Sequence, residues 1–173
     1  MVDGGSINLL GRGGQAYAQI GHGGRASNAT ISGNLDIDSG DFITISGATA
    51  AESYAQIGHG GVDGNFTITN ADIDLDAVNA ISVTAVGAES YAQIGHGGSQ
   101  VYSLSAADAD IRINQAAGSG NGAITLQGGT QQANAHAMIG HGGARTDGTR
   151  GTGAYDVSGN IEIGKSASVS LTG

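Results

Sequence analysis

The chain has 173 residues, of which 33 are glycine and none is proline, cysteine or tryptophan. Its formal net charge of −9 argues against a nucleic-acid partner, because phosphate binding requires a basic surface. No apolar run approaches the roughly 18 residues of a membrane-spanning helix. Glycine is not spaced every third residue, which excludes collagen, and the 39% hydrophobic content is too high for a disordered glycine linker.

Short patterns of alternating apolar and polar residues recur along the chain in a fixed order. The first pattern occupies 6–9, 42–45, 80–83, 123–126 and 168–171. A second occupies 29–32, 66–69, 102–105 and 155–158. A third occupies 34–38, 73–76, 111–114 and 161–164. A period of two predicts β-strands with one buried face, and the glycine, asparagine, aspartate and serine residues between the patterns predict turns.

A longer motif separates the first pattern from the second. The octapeptide Tyr-Ala-Gln-Ile-Gly-His-Gly-Gly lies at 17–24 and returns unchanged at 54–61 and 91–98, and a fourth version at 136–143 differs at two positions. Its histidines His22, His59 and His96 are 37 residues apart, and His141 follows after 45. Repeats of this length predict stacked structural units.

These repeats predict an all-β chain in which residues 1–173 form one β-solenoid segment with a repeat of about 37 residues, expected to be a piece of a longer array. Each apolar column would continue through the stack at about 4.8 Å per rung. One such ladder would contain Ile7, Ile43, Ile81, Ile124 and Val169, and another would contain Ile20, Ile57, Ile94 and Ile139. The sequence leaves open whether a repeat makes one rung or two, and a β-propeller is the competing fold.

The repeats resemble those of filamentous-haemagglutinin-like bacterial exoproteins. The resemblance rests on residues 33–40, then 42–47, then the octapeptide at 54–61, and extends over essentially the whole chain. It implies a right-handed parallel β-helix, export through an outer-membrane secretion transporter, an extracellular or cell-surface location, and a role in adhesion. It implies no catalytic residue and no cofactor.

The histidine column, formed by His22, His59, His96 and His141, allows two interpretations. Each ring could hydrogen-bond a neighbouring turn, with glycine on both sides to permit tight geometry. Alternatively, converging imidazoles could bind a metal ion at about 2.0–2.1 Å. Parallel stacking favours the structural interpretation, so no metal site is assigned.

Acidic side chains form a second column, with Asp36 and Asp38 followed by Asp74 and Asp76. Paired carboxylates can bind calcium or act as acid and base. The column then changes to Arg112 and Glu162, which favours a solvated polar face over a calcium site or a catalytic pair.

Tyr17, Tyr54 and Tyr91 form a third column, beside a parallel column of glutamines. Because Ala18 and Ile20 have the opposite parity and are expected to point inward, tyrosine and glutamine are expected on an outer face. They would stabilise the stack as ladders, or the tyrosines would stack on sugar rings.

The fourth repeat carries two insertions. One lies within 115–122, and the other, at 144–153, contains Arg145 and Arg150, two of the six basic residues. Since solenoids accommodate insertions only outside the stack, both are expected to be loops. Arg145 and Arg150 are the candidate ligand-binding residues for an anionic glycan or protein.

The function predicted from these patterns is that of a non-catalytic structural and adhesive shaft. Its expected partners are a host-cell or neighbouring-cell surface or glycan, and other copies through open solenoid ends. The alternatives are a subunit of a head-to-tail fibre and, less favoured, a polysaccharide-active β-helix enzyme.

Overall fold

A computed structural model of the chain describes residues 5–129, 134–143 and 155–173. Every regular element in these ranges is a β-strand, 19 in all. None of the residues described forms a helix of the length and apolarity that membrane crossing requires. The predicted all-β solenoid is confirmed, with successive repeats paired in parallel.

The strands follow one another in the same order in each repeat. The first rung contains β1 (Ile7–Leu10), β2 (Tyr17–Ile20), β3 (Gly23–Arg25), β4 (Asn28–Ser32) and β5 (Leu35–Ser39). The second contains β6 (Ile43–Ser46), β7 (Tyr54–Ile57), β8 (Gly60–Val62), β9 (Asn65–Thr69) and β10 (Ile73–Ala77). The third contains β11 (Ile81–Thr84), β12 (Tyr91–Ile94), β13 (Ser103–Ala107) and β14 (Ile111–Ile113). The fourth contains β15 (Ala123–Gln127), β16 (His136–Ile139), β17 (Tyr155–Val157) and β18 (Ile161–Ile163), and β19 (Ser168–Thr172) begins a fifth.

Equivalent strands of successive rungs pair into sheets. The five-stranded sheet has the order β1-β6-β11-β15-β19, and the tyrosine sheet has the order β16-β12-β7-β2. The threonine sheet has the order β17-β13-β9-β4, and the acidic sheet has the order β18-β14-β10-β5. The glycine pair, β3 and β8, continues as single bridges from Gly60 to Gly97 and from Gly97 to Gly142.

The pairing register shows that each repeat makes one rung. Tyr17 pairs with Tyr54, and Tyr54 pairs with Tyr91, so one 37-residue repeat completes one turn of the coil. Two rungs per repeat would place the partner strand half a repeat away, and a propeller would pair neighbouring strands antiparallel. Neither arrangement occurs in these sheets.

Both expected isoleucine ladders are in register. The first runs through Ile7, Ile43, Ile81, Ile124 and Val169. The second runs through Ile20, Ile57, Ile94 and Ile139. Apart from Val169, which is 48% exposed, both ladders belong to the main core, to which the five-stranded, tyrosine and acidic sheets contribute their inward faces. Each fully buried isoleucine contributes about 1.5–3 kcal/mol through burial, which explains why thin layers of β-branched residues suffice.

A second, smaller core lies behind the threonine sheet and contains Phe66, Ile68 and Leu104. The strand pairing here differs from the predicted alternation, which matched 102–105 with 66–69 and so placed Tyr102 opposite Phe66. In the structure Leu104 pairs with Phe66, and Ser103 pairs with Asn65. A slip of two residues keeps the same side chains facing inward, so the alternation of the sequence could not detect it.

The first insertion of the fourth repeat is a loop, as expected. Asn114 N–H still donates to the Leu75 carbonyl, and Gly120 N–H donates to the Ala77 carbonyl. The residues between these two ladder bonds therefore bulge from the stack without interrupting it. Because the ladder resumes at once, β15 pairs with β11 in the regular register.

Candidate functional site

The repeated octapeptide is the main candidate site, because its residues are the ones that the copies share. Its first half forms a strand of the tyrosine sheet, and its second half passes over the face of that sheet that bears tyrosine and glutamine. The passage depends on Gly58, which has a φ of 144°. A Cβ atom on Gly58 would collide with the carbonyl oxygen of Gly95 in the next rung, so only glycine fits this position.

The tyrosines stack directly upon one another. The ring centroids of Tyr17 and Tyr54 are 4.9 Å apart, and those of Tyr54 and Tyr91 are 4.7 Å apart, with an interplanar angle of 4° in both pairs. His136 continues the column, with its ring centroid 5.4 Å from that of Tyr91. The column is therefore an aromatic ladder that follows the rise of the solenoid.

The expectation that tyrosine and glutamine line an outer face is wrong for the inner rungs. Tyr54 and Gln56 are both 0% exposed, although Tyr17 on the first rung is half exposed. The reason is the covering segment: a Cβ atom on Gly98 would lie only 2.7 Å from the Tyr91 hydroxyl oxygen. Glycine there makes room for the tyrosine, and the inner rings of the column have no face on which a sugar could stack.

The buried glutamines tie the two layers together. Gln56 Nε2 donates to the carbonyl oxygens of Gly95 and Gly97, at 2.9 and 3.1 Å. The Tyr91 hydroxyl donates to Gln56 Oε1 at 3.2 Å. Gln93 repeats the amide bonds to the fourth copy, but its Oε1 has no hydrogen-bond partner, because the fourth copy has histidine in the place of tyrosine.

Each buried histidine bridges two parts of the coil. His96 Nδ1 accepts the main-chain N–H of His59 at 3.1 Å, and its Nε2 lies 2.6 Å from the Ala71 carbonyl oxygen. His59 bridges His22 N–H to Gly33 in the same way. Each ring thus connects the covering segment to the turn between the threonine and acidic sheets, as the structural interpretation of the sequence expected.

These partners fix the chemical state of the rings. An acceptor at Nδ1 and a donor at Nε2 describe the neutral Nε2–H tautomer, which leaves no lone pair free for a metal ion at His59 or His96. Burial lowers the pKa of His59, and burial together with His141 lowers the pKa of His96 to about 3. Among the residues described, no group of three or more histidine, aspartate or glutamate side chains could hold a metal ion.

The acidic column lies on the solvent face of the acidic sheet. Asp36 pairs with Asp74, which pairs with Arg112. Arg112 binds three carboxylates, those of Asp110, Asp72 and Asp74, at 2.6, 2.8 and 3.5 Å. Burial opposes ionisation of Asp72, but the Arg112 hydrogen bond and the Asp110 N–H outweigh it and lower the pKa of that carboxyl. The arrangement is a partly exposed ion-pair network.

Beside this network lies a further ladder that the sequence analysis missed. Asn34 Oδ1 accepts the Asp72 N–H, Asp72 Oδ1 accepts the Asp110 N–H, and Asp110 Oδ1 accepts the Asn160 N–H. The four residues help to line a groove of about 420 Å³. A signal was present, since an asparagine or aspartate directly precedes the first apolar residue of every strand in the acidic sheet.

The proposed ligand residues Arg145 and Arg150 lie outside the described residues, as does the rest of the insertion that carries them up to residue 153. The basic side chain that the structure does place within a charged cluster of the acidic sheet is Arg112, and its role there is to neutralise carboxylates of its own chain.

No protein-family model matches the chain, and no curated protein or solved structure matches it either.

Proposed function

We propose that this chain is a segment of a non-catalytic shaft in a secreted or surface-anchored bacterial exoprotein of the filamentous-haemagglutinin-like kind. The observation that carries the proposal is that the side chains shared by successive octapeptides are engaged with one another. Tyr91 binds Gln56, and His96 bridges His59 to Ala71. Side chains that bind one another across rungs stabilise a rod, and this is the role that we propose for the repeated octapeptide.

The variable positions support the same proposal. Along the solvent face of the acidic sheet, aspartate gives way to arginine and then to glutamate. Contacts with a cell surface or glycan would then be made by such locally different outer faces, and an outer-membrane transporter would export the chain. Both partners follow from the family resemblance of the sequence.

A length series tests the shaft role directly. Because Tyr54 pairs with Tyr91, copies of residues 54–90 can be inserted before Tyr91 without changing the register. The chain would be attached by its amino terminus to a bead and would carry a peptide tag at its carboxyl terminus. We expect capture of the tag by antibody-coated beads to rise with the number of copies, and capture independent of that number would contradict the proposal.

The adhesive role is tested by the second insertion. Shortening 144–153 to the three-residue spacing of 62–64 removes Arg145 and Arg150, while shortening the loop within 115–122 is the matched control. If the insertion binds an anionic glycan or partner, only the first deletion abolishes binding to cells or glycans, and both variants remain folded by circular dichroism. Equal binding by both variants removes Arg145 and Arg150 from the proposal.

Enzymatic action on polysaccharides is tested by incubating the chain with acidic polysaccharides and measuring new reducing ends. The shaft proposal predicts none above a buffer control. A rise that disappears when Asp74 and Asp76 are changed to asparagine would replace the shaft with a glycan-active enzyme.

A second candidate is a fibre in which copies stack head to tail. Equivalent strands pair edge to edge through successive rungs in every sheet described, and strand edges are templates for further pairing. Electron microscopy would show filaments that Leu171→Asp prevents. Single short rods from both proteins would rule the fibre out while leaving the shaft untouched.

A further inference from the structure

Three rings of the histidine column, the buried His59 and His96 and the partly buried His141, hold two parts of the coil together. One part is the segment that covers the tyrosine column, which supplies the main-chain N–H of each preceding histidine. The other is the turn between the threonine and acidic sheets, which supplies the carbonyl oxygens of Gly33, Ala71 and Ala109, at 3.1, 2.6 and 2.7 Å from Nε2. The three bridges form a continuous seam through successive rungs.

We propose that His59, His96 and His141 form an acid-sensitive seam that opens in mild acid and uncovers the tyrosine column while the acidic sheet stays folded. The neutral ring can take up a proton only at Nδ1, and each Nδ1 already faces a main-chain N–H at 3.0–3.2 Å. Protonation replaces a hydrogen bond with two opposed donors, and an N–H left without an acceptor in a buried place is costly.

Some charged and titratable groups around the seam oppose protonation of its rings, and others favour it. Neighbouring rings oppose protonation, since the ring centroids of His59 and His96 are 5.1 Å apart, those of His96 and His141 are 5.0 Å apart, and His22 Nδ1 lies 3.3 Å from His59 Nδ1. Two carboxylates favour it, those of Asp72 beside His96 and Asp110 beside His141. Both carboxylates are held by Arg112, which offsets part of their effect.

Burial of the rings determines how the stability of the seam changes with pH. It lowers the pKa of His59 and His141, and with the charge of His141 it lowers the pKa of His96 to about 3. An opened or unfolded segment returns each ring to a pKa of about 6.5. The opened form therefore binds more protons, so the contribution of the rings to stability is complete above about pH 6.5 and is lost as the pH falls below that value, towards about 3 for His96.

The first experiment measures unfolding by denaturant from pH 7.5 to 4.5 in the wild type, in His96→Gln and in His22→Gln. The His22 ring is exposed at the end of the column and serves as the control. For each ring that gains a proton on opening, the unfolding equilibrium constant rises by up to about tenfold when the pH falls by one unit. We expect His96→Gln to reduce this slope by nearly one proton, and His22→Gln, which removes only a neighbouring ring that opposes protonation of His59, to reduce it by less. An unchanged slope in His96→Gln overturns the proposal.

The second experiment needs no variant. Hydrogen exchange at pH 5, corrected for the intrinsic rate, should be faster in Tyr54–Ile57 and Tyr91–Ile94 than at pH 7, while Ile73–Ala77 stays protected. Nitrogen NMR of the folded protein should show the neutral Nε2–H form of the buried rings at pH 5. Uniform acceleration of exchange over the whole chain, or rings that titrate near pH 6.5 without faster exchange, would each refute the seam.

Discussion

The tyrosine sheet and the acidic sheet are built from the same number of strands in the same stack, yet they differ in how many of their faces are buried. In β7 all four residues are buried, whereas in β10 burial alternates from residue to residue. The first three copies of the tyrosine strand are identical, whereas the acidic strands exchange leucine and isoleucine at inward positions and change from aspartate to arginine and glutamate on the solvent face. The sheet with both faces buried therefore keeps the same residues from copy to copy, and the sheet with one buried face does not.

A charge inside the tyrosine sheet should produce the largest effect. Ile57 is fully buried in the main core, so Ile57→Asp leaves an unpaired carboxylate without water and is expected to cost about 4 kcal/mol or more. Thr44→Asp places the same charge on an open face of the five-stranded sheet and should cost less than about 1 kcal/mol. Denaturant unfolding of both variants measures the difference, and equal losses would mean that the two faces are not distinct.

The next effect comes from the glycine at which the covering segment turns. Gly58→Ala requires a positive φ and brings a Cβ atom against the main chain of the next rung, so we expect a loss of about 3 kcal/mol or more. Gly118 also has a positive φ, but a Cβ atom there meets nothing within 4 Å. Gly118→Ala should therefore show the cost of the backbone conformation alone, about 1–2 kcal/mol. Melting temperatures that fall by the same amount would show that rung spacing does not require glycine.

Removing a polar side chain should lower the stability in the tyrosine sheet and not in the acidic sheet. Gln56→Ala removes the donor to Gly95 and Gly97 and the acceptor of the Tyr91 hydroxyl, and the expected loss is about 2–3 kcal/mol. Asp36→Ala removes a carboxylate that stands beside Asp74, and its stability should be unchanged or slightly higher because like charges on paired strands repel. A loss in Asp36→Ala comparable to that in Gln56→Ala would contradict the comparison.

The smallest expected effect is a gain in stability. His136→Tyr restores the tyrosine that the fourth copy lacks and places a hydroxyl where Gln93 Oε1 has no partner. By analogy with the bond from Tyr91 to Gln56, we expect a stabilisation of about 1 kcal/mol. The same substitution combined with Gln93→Ala should stabilise less, since the acceptor is then absent. An equal gain in both backgrounds would attribute the effect to stacking alone.

The sequence was sufficient to predict the architecture because strand alternation and equal spacing are local properties of the chain. It predicted the ladder of Ile57 and the bridge of His96 to a turn. It could not predict the burial of Tyr54, because the cover comes from a glycine segment with no side chains to give an apolar signal. It also misaligned Tyr102, since a slip of two residues leaves the alternation intact.

The rise of the rod for each added repeat tests the account most directly. Small-angle scattering would measure the maximum dimension of chains that carry zero, five and ten extra copies of residues 54–90 before Tyr91. One rung per repeat predicts an increase of about 4.8 Å per copy, or about 48 Å for ten. An increase of twice that size, or a compact particle whose dimension grows much less than linearly with copy number, would contradict a rod built from one-rung repeats.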